Sequence, residues 1–348
     1  MKFYTKQHKY YCGIDLYTKK MYLCILDENG DVKLHRNINT ESEVFLSAIA
    51  PFREDIVVAV ECMFTWYWLA DLCIREGISF VLGHALYMKA IHGGKAKNDK
   101  IDSHKIAVLL RGGMIPKAYV YPAKMRATRD LLRRRNHLMR KRAELFSHIQ
   151  NTRSQYNLPE PMGRIAVPKN RVGIIERFDQ PSVQKNIAVD LEMIETYDKV
   201  LSKLEWNITR TAKEHDPLSY ALLNSVPGIG KILSLVILYE IENINRFKKV
   251  QDFVSYSRLV KSIRESNGKK YGTGGKKIGN AHLKWAFSEA SVLFLKGNEP
   301  GKKYLDRLTN KHGKGKALSI LAHKIGRAVY FMLKNKEAFN QKRFLGLK

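Results

Sequence analysis

The chain has 348 residues, 45% of them hydrophobic, which suffices for two or three domains with buried cores and excludes global disorder. Lys and Arg number 61 against 33 Asp and Glu, and the formal charge of +28 predicts a polyanionic partner, nucleic acid being the usual one. Residues 123–142 carry 9 basic residues and 1 acidic residue, and residues 251–348 carry 22 and 6. No lipidation motif accompanies this charge, so a membrane surface is the weaker interpretation.

Targeting and redox signals point to a reducing cytoplasm. No apolar run is long enough to span a bilayer, and the first residues lack the apolar core of a signal peptide. The four cysteines show neither a CxxC motif nor paired His spacing, which argues against zinc and a disulfide framework. We expect them to be buried core thiols: Cys12, Cys24, Cys62 and Cys73.

The first third of the chain has the pattern of a mixed α/β sheet. Residues 10–26 predict two strands joined by a tight turn, and "DIVVAVE", 55–61, is the nearly continuous apolar run of a strand buried on both faces. The other predicted elements are, in chain order, a strand in "KLHRNIN", a helix in "TWYWLADLCIREG" closed by Gly77, a strand in "ISFVLG" and a helix within 95–113 that ends at Gly112-Gly113.

The middle of the chain predicts two long helices. Leu or Ile recurs every seven residues in each: Leu131, Leu138 and Leu145 within 123–156, then Ile187, Ile194, Leu201 and Ile208 within about 187–212. Such repeats predict coiled-coil pairing, within or between chains. The first helix also has a basic face, for which nucleic-acid contact and structural packing are both open. Its candidate nucleic-acid-binding residues are Arg133, Arg134, Arg135, Arg140, Lys141 and Arg142.

The last third is predicted to be mainly α-helical, with a turn like that of a helix-hairpin-helix motif. In "VPGIGK", 226–231, the backbone of Gly228 and Gly230 and the Lys231 side chain would contact a phosphate, the alternative being tight helix packing. "RESNGKK", 264–270, is expected to be a flexible basic loop. The lysines of this Gly-rich stretch are further candidates for holding phosphates: Lys269, Lys270, Lys276 and Lys277.

Four carboxylates in the first third are candidate metal ligands. Asp15 lies in the first strand, Glu61 ends the buried strand, and Asp99 and Asp102 are one helical turn apart on one helix face. Carboxylates around one sheet edge can bind two divalent cations, which stabilise the attacking and leaving oxygens of phosphoryl transfer. Each carboxylate also has a simpler explanation. Asp15 could be a solvated strand residue and Glu61 an acid at a helix N-terminus, while Asp99 could be an N-cap and Asp102 could complement the helix dipole.

The segments "GIDLYTKK", "VAVE" and "KNDKIDSHKIA", in this order, resemble the DEDD transposases of insertion sequences, which are related to the pilin-gene inverting (Piv) invertases. The resemblance continues through "SVPGIGKIL", "FVSYSRLVKSIRESNGKKYG" and "GNAHLKWAF", so it covers nearly the whole chain. It implies an α/β RuvC-like (ribonuclease-H-type) catalytic domain at 1–122, a basic coiled-coil domain at 123–215 and a mainly α transposase domain at 216–348.

The resemblance also implies a site-specific DNA recombinase or transposase. Asp15, Glu61, Asp99 and Asp102 would bind two Mg²⁺ ions, for which Mn²⁺ could substitute. Ser266, which spacing alone identifies only as a solvated loop serine, would attack a DNA phosphodiester and hold the strand covalently. The serine would reach the metals from another domain or subunit. The implied partners are donor and target DNA, a structured non-coding bridge RNA and further copies of the chain, dimer to tetramer, at the nucleoid of a prokaryotic cytoplasm.

Three positions depart from the family pattern, and two other functions are compatible with the residues. Ser103 stands where the family often has Ala, Arg258 where Gly is common, and Lys261 where Pro is common. A hydrolytic RuvC-like junction-resolving nuclease would use water as nucleophile and would tolerate Ser266→Ala. A non-catalytic nucleic-acid-binding protein would tolerate loss of the acids, as in Asp15→Ala.

Overall fold

A computed structural model describes residues 2–91, 98–160, 163–212, 215–261, 263–273 and 278–347. The chain divides into two compact units, residues 1–123 and 124–348. The finer division into three domains stays a prediction. None of the helices in the described ranges is both long and apolar enough to cross a membrane.

The first unit is a five-stranded mixed sheet with helices on both faces. Its elements are β1 (Tyr10–Leu16), β2 (Lys20–Asp27), β3 (Val32–Asn39), α1 (Ser42–Ile49), β4 (Ile56–Glu61), α2 (Tyr67–Arg75), β5 (Ser79–Gly83), α3 (Ala85–Ile91) and α4 (Asp99–Arg111). The strand order is β3-β2-β1-β4-β5. The first three strands form an antiparallel meander, whereas β4 runs parallel to β1 and β5 parallel to β4. The predicted mixed α/β sheet is confirmed.

Strand β4 is buried on both faces, as its apolar run predicted. Val58 and Val60 pack in a cluster with residues of α1 and α2, whereas Val57 and Ala59 pack in a second cluster with residues of α4. This alternation follows from the two-residue period of side chains along a strand. The sheet therefore has two distinct faces, and α4 covers the second.

The second unit is mostly helical and contains one β-hairpin. Its elements are α5 (Ala123–Gln155), α6 (Pro181–Ala212), α7 (Pro217–Asn224), α8 (Lys231–Ile241), α9 (Val250–Tyr256), β6 (Ile263–Ser266), β7 (Lys269–Thr273), α10 (Ala281–Leu293), α11 (Glu299–His312), α12 (Lys314–Asn335) and α13 (Gln341–Leu345). Helix α5 begins at the last residue of the first unit. The mainly α-helical character predicted for this half is confirmed.

Helices α5 and α6 pair within the chain. The heptad residues of α6 are buried: Ile187, Ile194, Leu201 and Ile208. Ion pairs join Arg135 to Glu205 and Arg142 to Asp198, so positions rise along α5 as they fall along α6. The two helices are therefore antiparallel. Leu132 of α5 and Ile208 of α6 belong to the same core as α8, α10 and α12.

The cysteines follow the prediction with one exception. Cys12, Cys24 and Cys73 are buried free thiols, and burial raises the pKa of Cys24 to about 11 and that of Cys73 to about 12. Cys62 is exposed. The prediction of a core role is wrong for Cys62 because it follows the last residue of β4, where the chain leaves the sheet.

Candidate active site

Asp15 and Glu61 lie at the same edge of the sheet and on the same face. Ile14 pairs with Val60 in the parallel β1–β4 ladder, so the two carboxyl residues follow a paired position on neighbouring strands. Strand alternation places Asp15 on the face of Tyr11, and Glu61 on the face of Val57, and both of those side chains pack in the cluster that α4 covers. Both acidic residues are half-buried.

Helix α4 crosses this face in close contact with β1. A Cβ atom placed on Gly13 would lie 2.2 Å from the backbone N of Ala107 and 2.4 Å from the carbonyl oxygen of Ser103. Only a glycine permits that approach. Tyr11 shares a cluster with Ile106, Leu109 and Leu110, whereas Gly13 meets Ser103 and Ala107, so the N-terminus of α4 lies toward Asp15.

The first turn of α4 carries Asp99 and Asp102, and neither is the helix cap. Asn98 is the N-cap, and its Oδ1 accepts a hydrogen bond from the backbone N of Ile101 at 2.8 Å. The capping explanation offered for Asp99 is therefore wrong, since Asn98 already fills that position. The Asp102 carboxylate lies 3.7 Å from Nζ of Lys105, and its place in the first turn also suits the helix dipole.

All four carboxylates raise the pKa of Tyr17, the residue that follows β1. The negative charge of Asp15 is the largest cause that raises the pKa of the Tyr17 hydroxyl, followed by burial and then by the charges of Asp99, Asp102 and Glu61. Because Coulomb interactions fall with distance, this shared effect agrees with the position of the first turn of α4 near the end of β1. In the described part of the chain, no group of three or more His, Cys, Asp or Glu side chains has the arrangement of a metal-binding site.

The loop after Glu61 presents apolar side chains that the sequence patterns did not single out. Met63 and Phe64 are 52% and 79% exposed, respectively. The loop is held at its C-terminal end, because the Thr65 hydroxyl donates to the carbonyl oxygen of Leu16 at 3.1 Å and Trp66 is buried. Exposed large apolar side chains directly after a candidate metal ligand make this loop a further candidate for substrate contact.

Ser266 ends strand β6 in a β-hairpin. It pairs with Lys269 across a two-residue turn, in which Asn267 and Gly268 have φ angles of +49° and +71°. Two successive positive φ angles define the turn type that matches the twist of a hairpin, and Asn-Gly is its strongest sequence signal. The segment 264–270 is therefore part of a hairpin and not the loop that its composition predicted. Ser266 itself is exposed.

The candidate phosphate-binding glycines differ in their surroundings. A Cβ on Gly228, whose φ is +85°, would lie 2.4 Å from the backbone N of Phe294, so tight packing explains this residue. Gly230 and Lys231 are exposed at the N-terminus of α8. Lys269 and Lys270 are exposed on β7. Lys276 and Lys277 lie outside the described residues.

The basic residues of α5 fall into two groups. Three arginines form ion pairs inside the unit: Arg133 with Glu240, Arg135 with Glu205, and Arg142 with Asp198. Arg134, Arg140 and Lys141 are exposed, and Lys141 lies 2.8 Å from Oε2 of the exposed Glu144. Packing therefore accounts for the first three, while the exposed three remain candidates for phosphate contact.

Ser103 occupies the position after Asp102 without disturbing α4. Its side chain is fully buried, and its hydroxyl donates to the carbonyl oxygen of Lys100 at 2.9 Å. Oγ also lies 3.3 Å from Nε2 of His35. The hydroxyl is satisfied within its own helix, so this departure from the family pattern leaves the placement of Asp102 unchanged.

Comparison with known proteins places both halves of the chain in one group. A family model for transposases of the DEDD IS110 type matches residues 12–157, and a model described as "Transposase IS116/IS110/IS902 family" matches residues 220–306. The chain is also similar to the "Transposase for insertion sequence element IS1111A" of Coxiella burnetii (strain RSA 493 / Nine Mile phase I), with 22% identity over 339 residues, 94% of this chain and 90% of the relative.

The matched ranges contain the candidate site residues. Asp15, Glu61, Asp99 and Asp102 lie within the first range, and Ser266 lies within the second. The resemblance noted from the short motifs is thereby confirmed at the level of the family. The chain belongs to the IS110/IS116/IS902 family of insertion-sequence transposases, enzymes that cut and rejoin DNA.

Proposed function

We propose that this transposase cuts and rejoins donor and target DNA through a covalent phosphoserine at Ser266, at a composite site with a Mg²⁺-binding cluster of Asp15, Glu61, Asp99 and Asp102. A structured non-coding RNA guides the choice of DNA, and the active form is a dimer to tetramer in the cytoplasm. The observation that carries the proposal is the placement of Asp15 and Glu61 at the ends of neighbouring parallel strands, on the face where the first turn of α4, with Asp99 and Asp102, lies toward Asp15.

The fold of the first unit supports this assignment. An antiparallel three-stranded meander followed by two parallel strands, in the order β3-β2-β1-β4-β5, is the arrangement expected of a ribonuclease-H-type, RuvC-like domain. The acidic residues lie at the ends of its two central strands and on the first turn of α4. Strand ends and helix starts around one sheet edge are where such sites form.

The donor set suits Mg²⁺, with Mn²⁺ as a substitute. Carboxylate oxygens are the ligands that hard divalent cations take, and like charges gathered at one place repel each other unless a cation neutralises them. Asp15, Glu61, Asp99 and Asp102 would hold the metal, and two bound ions would stabilise the attacking and leaving oxygens of phosphoryl transfer. The residues themselves orient the DNA phosphate and accept protons.

Ser266 is suited to the nucleophilic step by its exposure at a hairpin turn. Its Oγ would form a bond to phosphorus while one phosphorus–oxygen ester bond of the DNA breaks. The Oγ proton passes through a carboxylate to the departing deoxyribose oxygen. In the reverse step a strand-end hydroxyl attacks the phosphoserine and restores Ser266. The phosphoserine ester conserves the energy of the broken phosphodiester bond, so rejoining the DNA needs no other reactant.

Exposed cations of the second unit supply the nucleic-acid surface. Arg134, Arg140 and Lys141 on α5 and Lys269 and Lys270 beside Ser266 are all exposed. Such residues attract phosphates whatever the base sequence, so base pairing with an RNA guide would supply the choice of target.

The experiment combines purified protein, labelled donor and target DNA, RNA transcribed from the flanks of the element, and Mg²⁺, followed by a denaturing gel. Wild type should give a protein–DNA adduct and joined strands. Asp102→Asn should abolish both, and Asp31→Asn, which removes an exposed carboxylate of the β2–β3 turn, should leave both unchanged. Cleaved DNA without an adduct, still made by Ser266→Ala, would establish the hydrolytic nuclease instead.

A further inference from the structure

The residues just before and just after the segment that carries Ser266 are hydrogen-bonded to each other, and we call this pair of short stretches the neck. Tyr256 and Arg258 precede the segment, and Ile278, Gly279 and Asn280 follow it. The backbone N of Asn280 donates to the carbonyl oxygen of Tyr256 at 2.6 Å. The Arg258 Nε–H lies 2.9 Å from both the Ile278 and the Gly279 carbonyl oxygens. Backbone and side-chain hydrogen bonds thus join the residues that precede the hairpin 263–273 to those that follow it.

Arg258 has a backbone conformation that favours glycine. Its φ is +54°, in the left-handed region that a residue with a Cβ rarely adopts. A residue kept there against that preference needs a compensating interaction. The shared hydrogen bond from Nε to two carbonyl oxygens across the neck supplies one, and glycine at this position could not make it.

The neck is in turn anchored to the helical core through Asn280. Its Oδ1 caps α10 by accepting from the backbone N of His282 and Leu283, and its Nδ2 donates to Oε2 of Glu240 at 2.7 Å. Glu240 is 2% exposed and also receives hydrogen bonds from Arg129 and Arg133 of α5. A continuous chain of contacts therefore runs from α5 through Glu240 and Asn280 to the neck.

We propose that Arg258 is a positioning residue. Its hydrogen bonds to the carbonyl oxygens of Ile278 and Gly279, which form the clip, hold the ends of the serine hairpin together and so restrict the positions that Ser266 can take. The proposal rests on the proposed role of Ser266. Without the clip, the hairpin 263–273 would sample a wider set of positions, because a segment fixed less tightly at its ends has more conformational freedom. A nucleophile so released would spend less time in reach of a DNA phosphate.

The test compares three variants of the full chain by hydrogen–deuterium exchange and by adduct formation. Arg258→Gly removes the clip but suits the positive φ, Arg258→Lys keeps one donor, and Lys261→Ala removes an exposed charge between Arg258 and the hairpin. We expect Arg258→Gly to speed exchange in 263–273 about tenfold, the loss of roughly one hydrogen bond from a charged donor. Thermal midpoint and exchange in α8 and α10 should stay at wild-type values.

Adduct formation should fall by a similar factor in Arg258→Gly, with unchanged apparent affinity for DNA, and should recover partly in Arg258→Lys. Lys261→Ala should behave as wild type. Unchanged hairpin exchange in Arg258→Gly would overturn the proposal, and so would equal acceleration throughout the unit, which indicates a general stabilising role. If Ser266→Ala still forms product while hairpin exchange responds as expected, the clip stands and the proposed function of Ser266 fails.

Discussion

Gly13 of β1 lies directly beneath Ser103 of α4, where a Cβ would meet the Ser103 carbonyl oxygen at 2.4 Å. This close approach brings the first turn of α4 to the sheet edge occupied by Asp15. The carboxylate cluster therefore depends on a glycine that has no chemistry of its own. Substituting Gly13 therefore tests the packing of α4 on β1 while all four acidic residues stay unchanged.

Gly13→Ala should destabilise the first unit and reduce DNA cleavage together. The added methyl group overlaps the backbone of α4, which has to shift, and overpacking of this kind costs about 1–3 kcal/mol. Thermal unfolding and the adduct assay measure the two effects. Gly315→Ala is the matched control, because a Cβ there meets no atom within 4 Å and the residue lies in α12. Wild-type stability and cleavage in Gly13→Ala would contradict the close approach.

The Tyr17 hydroxyl should report on the charge of the cluster. Asp15→Asn removes the largest of the effects that raise its pKa, so the Tyr17 pKa should fall toward its ordinary value. Mg²⁺ should lower the same pKa in wild type, because bound cations offset the carboxylate charges. NMR of protein labelled at tyrosine, assigned with Tyr17→Phe, gives the titration. Asp31→Asn should cause no shift, and a Tyr17 pKa indifferent to Mg²⁺ would refute metal binding at this cluster.

Glu240 should stabilise the second unit in a pH-dependent way. Burial raises the pKa of its carboxyl group, but Arg133, Arg129 and Asn280 outweigh burial and lower it from 4.5 to about 2. A depressed pKa means that the stabilisation is complete above about pH 5 and is lost as the pH falls toward 2. Glu240→Gln leaves two buried or half-buried arginines without their carboxylate.

At pH 7, Glu240→Gln should lower the free energy of unfolding by about 3 kcal/mol, the usual cost of breaking a buried ion pair. The difference from wild type should shrink between pH 4.5 and pH 2. Urea unfolding at several pH values measures it, with the exposed Glu337→Gln as control. A difference that stays constant down to pH 2 would mean that the ionised carboxylate is not what stabilises the fold.

The exposed and the paired arginines of α5 should respond differently to substitution. Arg134→Ala and Arg140→Ala should weaken nucleic-acid binding and reduce its salt dependence by about one counterion each, with unchanged thermal stability. Arg135→Ala, which removes the partner of Glu205, should instead lower stability by up to about 1 kcal/mol and keep the salt dependence. Fluorescence anisotropy at several salt concentrations, with thermal unfolding, distinguishes the two. The reverse pattern would assign nucleic-acid contact to the paired face.

Local patterns sufficed to predict the sheet and the placement of the acids within it. The apolar run before Glu61 indicates a strand buried on both faces, and strand alternation then determines which face its carboxylate shares with Asp15. The spacing of Asp99 and Asp102 likewise follows from one helical turn. What these patterns lack is the packing of α4 on β1, because it depends on contact between Gly13 and Ser103, far apart in the chain.

Long-range partners are what local patterns in the sequence could not show. Arg133 and Arg135 have the composition of a phosphate-binding face, but Glu240 and Glu205 neutralise them from other helices. No periodicity in α5 reveals those partners. The Ser266 hairpin is a different case: Asn267-Gly268 is a strong local turn signal that the surrounding glycines and lysines obscured.

The most direct measurement is mass spectrometry of the trypsin-digested adduct formed with DNA, guide RNA and Mg²⁺. Cleavage after Arg264 and Lys269 releases residues 265–269, which contain Ser266 and no other hydroxyl side chain. We expect a nucleotide mass on that peptide in wild type and none in Asp102→Asn. Joined DNA with the peptide unmodified, or a nucleotide on a different peptide, would contradict Ser266 as the nucleophile.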